Sequence, residues 1–216
     1  MKNFRPSRRR TAGLAAYLAK NFVALFLTAN PAAAAATDVT YWIQPCTVTA
    51  SLACAPEDTD LARWAFAAWE NASQGRLHFV ESKDPTISRI RLLWAQKDSG
   101  LYGETTPIMV QGHPGAEIYV LAEPPNSGDR LLRDAIVYLT CLHESGHALG
   151  LPHTREFADI MYSFQYGGDI GEYFGRYRRR LTTREDIRKN AGMSPADRAA
   201  LLESISVNGK GEGIFR

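Results

Sequence analysis

A chain of 216 residues, 45% hydrophobic and 22% charged, is long enough for one domain with its own core and too apolar to be disordered. Its formal net charge of +2 is unevenly spread: residues 1–36 hold six basic side chains (Lys2, Arg5, Arg8, Arg9, Arg10 and Lys20) and no acid, leaving 19 basic against 23 acidic residues in the remainder. A mildly acidic body gives no electrostatic reason to expect nucleic acid as a partner.

The basic start leads into an apolar run, residues 21–29, and then Pro31 and the alanines 32–36. This is the pattern of a secretory signal cleaved after Ala36; a retained anchor is the alternative, although Lys20 keeps the uninterrupted run too short to span a bilayer. The expected product is secreted or periplasmic, free of the membrane and monomeric. Residues 37–206 would form the folded domain and 207–216 a frayed tail. Export to an oxidising compartment would let Cys46 and Cys54 pair, restricting the unfolded chain by about 2.5 kcal/mol; two independent thiols remain the alternative.

Val39–Ile43 has the β-branched and aromatic content of a strand. Asp58 or Asp60 can cap a helix to about Asn71, whose apolar positions Leu61, Trp64, Ala65, Ala68 and Trp69 recur at helical spacing. Arg76–Val80 alternates as a second strand. Ile87–Trp94 reads as a third, with Ile87, Ile90, Leu92 and Leu93 inward. A hairpin follows: Thr105–Gln111, a turn at Gly112–Gly115, and Ala116–Ala122. Pro107 lacks an amide donor, so its strand belongs at an edge.

Asp129 precedes a helix with apolar positions Leu132, Ala135, Ile136, Leu139 and Leu142. The same helix carries His143, Glu144 and His147. Gly150 then allows a sharp exit, and His153 follows, completing H-E-x-x-H-x-x-G-x-x-H. Histidines four apart share a helix face and can grip one metal ion. Three neutral imidazoles would leave tetrahedral zinc an open position for water, as in catalytic rather than structural sites. The ion lowers the pKa of such a water toward about 7, and Glu144 stands where a general base is needed. Cys141 points away from the ligands and reads as a packed thiol.

Beyond the motif, Asp159–Tyr162 is a compact turn. Residues 163–192, rich in glycine, tyrosine and charge, read as a long surface loop, with Arg176, Arg178, Arg179 and Arg180 as a solvated face or a selector for acidic substrates. Ser194, Pro195 and Asp197 open a last helix.

His143–His153 followed by Ile160, Met161 and Tyr162 resembles the metzincin clan of zinc endopeptidases, most closely a small bacterial matrixin, over residues 40–206. The resemblance implies an α+β domain: a twisted mixed sheet of about five strands, an active-site helix, a methionine turn and a C-terminal helix. It further implies one catalytic Zn2+ on His143, His147 and His153, Glu144 as general base, and Met161 as the apolar floor. Peptide substrates would pair with the edge strand near Thr106, Ile108 and Val110, with Tyr162 beside the specificity pocket. A propeptide cysteine to cap the zinc has no recognisable counterpart. A second, structural zinc is not expected from His113, nor is structural calcium supported; His78 and His113 read as ordinary histidines. The implied function is a secreted zinc endopeptidase. Two other readings share the motif: a zinc-binding interaction module without turnover, which has no use for Glu144, and a zinc hydrolase of other amides such as cell-wall crosslinks.

Overall fold

A computed structural model describes residues 35–46, 54–96, 100–122 and 128–208. The expected signal segment up to residue 34, the loop at 123–127 and residues 209–216 of the expected tail lie outside them. Five strands, β1 (Thr37–Ile43), β2 (Leu77–Glu81), β3 (Ile90–Trp94), β4 (Gly103–Val110) and β5 (His113–Val120), form one sheet in the order β2-β1-β3-β5-β4. All neighbours are parallel except β4, which runs antiparallel to β5 at the sheet's end. The expected α+β class with a mixed five-stranded sheet is therefore observed, and Pro107 does lie on an edge strand.

Alternation decides which side chains enter the core. Val39, Tyr41 and Ile43 of β1 and Ile90, Leu92 and Trp94 of β3 are buried. Tyr41 meets Phe66 of α1 (Asp58–Ala72) with ring centroids 4.3 Å apart. The long helix α2 (Arg130–Ala148) packs on α1, β4 and β5. Among the described residues no helix is long and apolar enough to cross a membrane.

Several expectations are corrected. Ile87 is 45% exposed and lies before β3, in a turn organised by Asp84, whose Oδ1 accepts from the Thr86 amide at 2.8 Å. Leu93 sits half-buried on the face opposite Ile90 and Leu92. Neither Asp58 nor Asp60 caps α1: Glu57 holds the cap position, and Asp58 is buried against Arg133, with Arg133 Nη2 donating to Oδ2 at 2.6 Å.

The hairpin turn is Gln111-Gly112, not Gly112–Gly115, because Val110 pairs with His113. Both turn residues have positive φ (50° and 82°), as a two-residue type I′ turn demands. Gly115 lies inside β5 for another reason. A Cβ there would stand 2.3 Å from the Arg89 carbonyl oxygen, to which the Ala116 amide is bonded at 2.8 Å.

Residues 163–192 are not a surface loop. They contain a 3-10 turn (Phe164–Tyr166), helix α3 (Ile170–Arg178) and a 3-10 helix (Arg184–Lys189), and they bury Tyr173, Phe174, Tyr177, Leu181 and Ile187. The arginines serve this packing. Arg176 lies over the rings of Phe157 and Tyr173, Arg178 pairs with Asp129 at 2.8 Å, and Arg179 pairs with Glu172. The last helix, α4 (Pro195–Asn208), extends two residues past the expected domain end. It opens on a reciprocal cap: the Asp197 amide donates to Ser194 Oγ at 3.1 Å, and the Ser194 amide to Asp197 Oδ2 at 2.7 Å.

Candidate active site and metal centre

Helix α2 begins at Asp129, whose carboxylate accepts from the amides of Leu131 (2.9 Å) and Leu132 (3.2 Å), satisfying donors that have no partner in the helix. It ends in a Schellman arrangement: the Gly150 amide bonds His147 O at 2.8 Å and the Leu151 amide bonds Gly146 O at 3.0 Å. Gly150 takes φ 81°, which a side chain would resist. That reversal carries His153 back toward His143 and His147.

The three rings converge. His153 Nε2 lies 3.2 Å from His143 Nε2 and 3.0 Å from His147 Nε2. His143 Nδ1 faces the Ile160 carbonyl at 2.6 Å and His147 Nδ1 the Leu151 carbonyl at 2.9 Å. A carbonyl only accepts, so each Nδ1 carries the proton and each Nε2 turns a bare lone pair inward. Burial pushes the His143 pKa down to about 4, and burial also lowers those of His147 and His153. Neutral imidazoles with converging lone pairs satisfy one another poorly and a divalent cation well, and zinc is a natural match for such nitrogen donors. Among the described residues these three are the group arranged to hold an ion.

Met161 is buried beneath α2. A Cβ on Gly146, the residue before His147, would stand 2.5 Å from its sulfur and 3.0 Å from Trp69 Cζ2. The turn carrying Met161 is held from three sides. Thr154 N donates to Met161 O at 2.8 Å. The Asp197 carboxylate accepts from the amides of Ile160 (2.9 Å) and Met161 (3.3 Å), and the Tyr173 hydroxyl reaches Asp159 O at 2.9 Å. In the sequence Asp197 reads only as a cap and Tyr173 carries no local signal of this role.

Glu144 is 6% exposed and faces β4. The Thr105 hydroxyl donates to Glu144 Oε2 at 2.6 Å. Burial raises the Glu144 pKa to about 7, opposed by that hydrogen bond, which is a range suited to a general base near neutrality. The carboxyl opens onto a cavity of about 420 Å³ shared with all three histidines, Tyr162 and Phe174. A second recess, bounded by Pro107, Leu151 and Pro152, shares Thr105 and His147 with the first, so the cleft continues along β4.

Of the four residues expected to meet substrate, Tyr162 borders the main cavity. Thr106 is exposed, Ile108 half-buried and Val110 buried, and none of these three lines either recess. On β4 it is Gly103 and Thr105 that face α2.

The profile of the Matrixin peptidase family matches residues 33–169. The chain belongs to the matrixins. It is therefore a zinc metalloendopeptidase, acting on protein substrates. This matrixin's match ends at Asp169, so α3, which supplies Tyr173 and Phe174 to the cavity, lies beyond the matched segment.

Proposed function

We propose that this matrixin is exported and cleaves peptide bonds within polypeptides, with one zinc ion held by His143, His147 and His153 and with Glu144 as the general base. The single observation that carries the reading is the convergence of three Nε2 atoms beside a buried carboxyl. When bound, zinc supplies Lewis acidity, polarising a carbonyl and making water more acidic. The chain's own residues do the rest. Glu144 accepts the proton of the attacking water and delivers it to the amide nitrogen as the bond breaks. The Ile160 and Leu151 carbonyls hold the rings of His143 and His147 in one tautomer and orientation. Met161 fixes the floor by packing.

Strand β4 has β5 on one side and an unpaired edge on the other among the described residues, so an extended peptide can add there through main-chain hydrogen bonds. Thr106, Ile108 and Val110 would then contribute backbone, and Tyr162 a wall of the adjoining pocket. Export is supported by the basic and apolar start of the sequence and by the Cys46–Cys54 bridge, with Cα atoms 5.8 Å apart.

The test is cleavage of a mixed peptide library by purified protein, with and without chelator, beside Glu144→Ala. Chelator-sensitive cleavage lost in the variant is expected. Stoichiometric zinc with no cleavage would favour a binding module, and release of non-protein amides alone would favour a different hydrolase.

A further inference from the structure

The contact between β4 and the base goes beyond this catalytic reading, on which it rests for the role of Glu144. Thr105 Oγ1 lies 2.6 Å from Glu144 Oε2 and 3.0 Å from the main-chain oxygen of the same residue. Two residues earlier, on the same face of β4, Gly103 lets the strand press onto α2. A Cβ at that position would stand 2.7 Å from Glu144 Cγ, 2.8 Å from Oε1 and 2.6 Å from Thr140 Cγ2. One carboxyl oxygen is therefore held by a hydroxyl while the other packs against bare backbone. We propose that Thr105 is a positioning residue for Glu144, clasping the carboxyl and tying the base to the strand on which the peptide lies.

The chemistry favours threonine here. A glutamate has three side-chain torsions, and the Thr105 hydroxyl makes the one hydrogen bond its carboxyl receives among the described residues. A hydrogen bond to an ionised carboxylate is about twice as strong as a neutral one. The β-branch restricts χ1, so the hydroxyl is aimed before substrate arrives. A hydroxyl also has one proton and two lone pairs. While Glu144 is ionised, Thr105 donates to Oε2. Once Glu144 holds on Oε1 the proton taken from water, Oε2 still accepts, and the Thr105 hydroxyl keeps donating to it. Both atoms stay partnered through the cycle.

The experiment compares Thr105→Val, which keeps the shape and loses the hydroxyl, with Thr105→Ser, which keeps the hydroxyl. Steady-state peptide hydrolysis, bound zinc and the unfolding midpoint are measured, together with a crystal structure of zinc-loaded Thr105→Val. The valine variant is expected to lose about 10- to 100-fold in kcat with KM within about twofold, while retaining one zinc. The serine variant should stay within about threefold of wild type. In the crystal the Glu144 carboxyl should leave the position it holds beside β4. Undiminished kcat in Thr105→Val, a serine variant as impaired as the valine one, or a change in KM alone would overturn the proposal. Should Glu144→Ala retain full turnover, the general-base reading fails instead, and the crystal structure still decides the clasp: an unmoved carboxyl refutes it.

Discussion

The sulfur of Met161 fills the space that a Cβ on Gly146 would need, at 2.5 Å. Helix α2 is therefore without a side chain at the point, between its two histidines, where the methionine turn presses against it. In an exposed helix Gly→Ala gains about 1 kcal/mol. Here overpacking reverses the sign, and Gly146→Ala should cost about 1–3 kcal/mol and weaken zinc binding. Thermal unfolding with and without chelator checks this; a stabilised variant would show that the contact does not constrain the site.

Asp197 joins the start of α4 to the amides of Ile160 and Met161. Asp197→Ala removes a cap and strands two buried donors, so it should cost about 2–4 kcal/mol. Ser194→Ala removes the cap interaction alone and should cost about 1 kcal/mol. Denaturant unfolding of both variants measures the gap, and equal losses would mean that the link to the methionine turn contributes nothing.

Arg133 joins α1 to α2 through the fully buried Asp58 and the nearly buried Asp134, to which Arg184 also donates at 3.1 Å. Arg133→Met should destabilise by about 3–5 kcal/mol, because it leaves the Asp58 carboxylate buried without its cation. Adding Asp58→Asn should recover much of the loss. A double variant no better than Arg133→Met, by urea titration, would contradict this account of the cost.

Arg63 donates from Nε and Nη2 to the two oxygens of Glu81, each at 2.9 Å, and holds that carboxyl below its ordinary value. A depressed folded-state pKa contributes stability above the unfolded-state value and loses it as pH falls through the folded-state value. The pair is partly exposed, so the contribution is below about 1 kcal/mol. Unfolding midpoints of wild type and Glu81→Gln should differ at neutral pH and merge in acid. A gap that persists in acid would be inconsistent with this linkage.

How far the sequence reveals the site depends on how local each determinant is. His143, Glu144, His147, Gly150 and His153 are legible because one helix and one turn fix their relation. The alternation in β1 and the periodicity in α1 are legible on the same ground. Gly115 is not: what requires glycine there is the carbonyl of Arg89, the residue just before β3 and distant in sequence. Helix α3 is obscured by Gly171 and Gly175, which weaken helical propensity, and its face of Tyr173, Phe174 and Tyr177 gains meaning only against partners such as Phe157 and Tyr102. Thr105 is not legible either, because the face of β4 that meets α2 is set by tertiary packing.

The central claim is that three imidazoles hold a single zinc ion. Elemental analysis of the purified, folded protein tests it most directly when wild type is compared with His153→Ala. One zinc per chain in the wild type, lost in a variant that keeps its fold, is the predicted result. Folded wild type without stoichiometric zinc, or full zinc retained by His153→Ala, would contradict it.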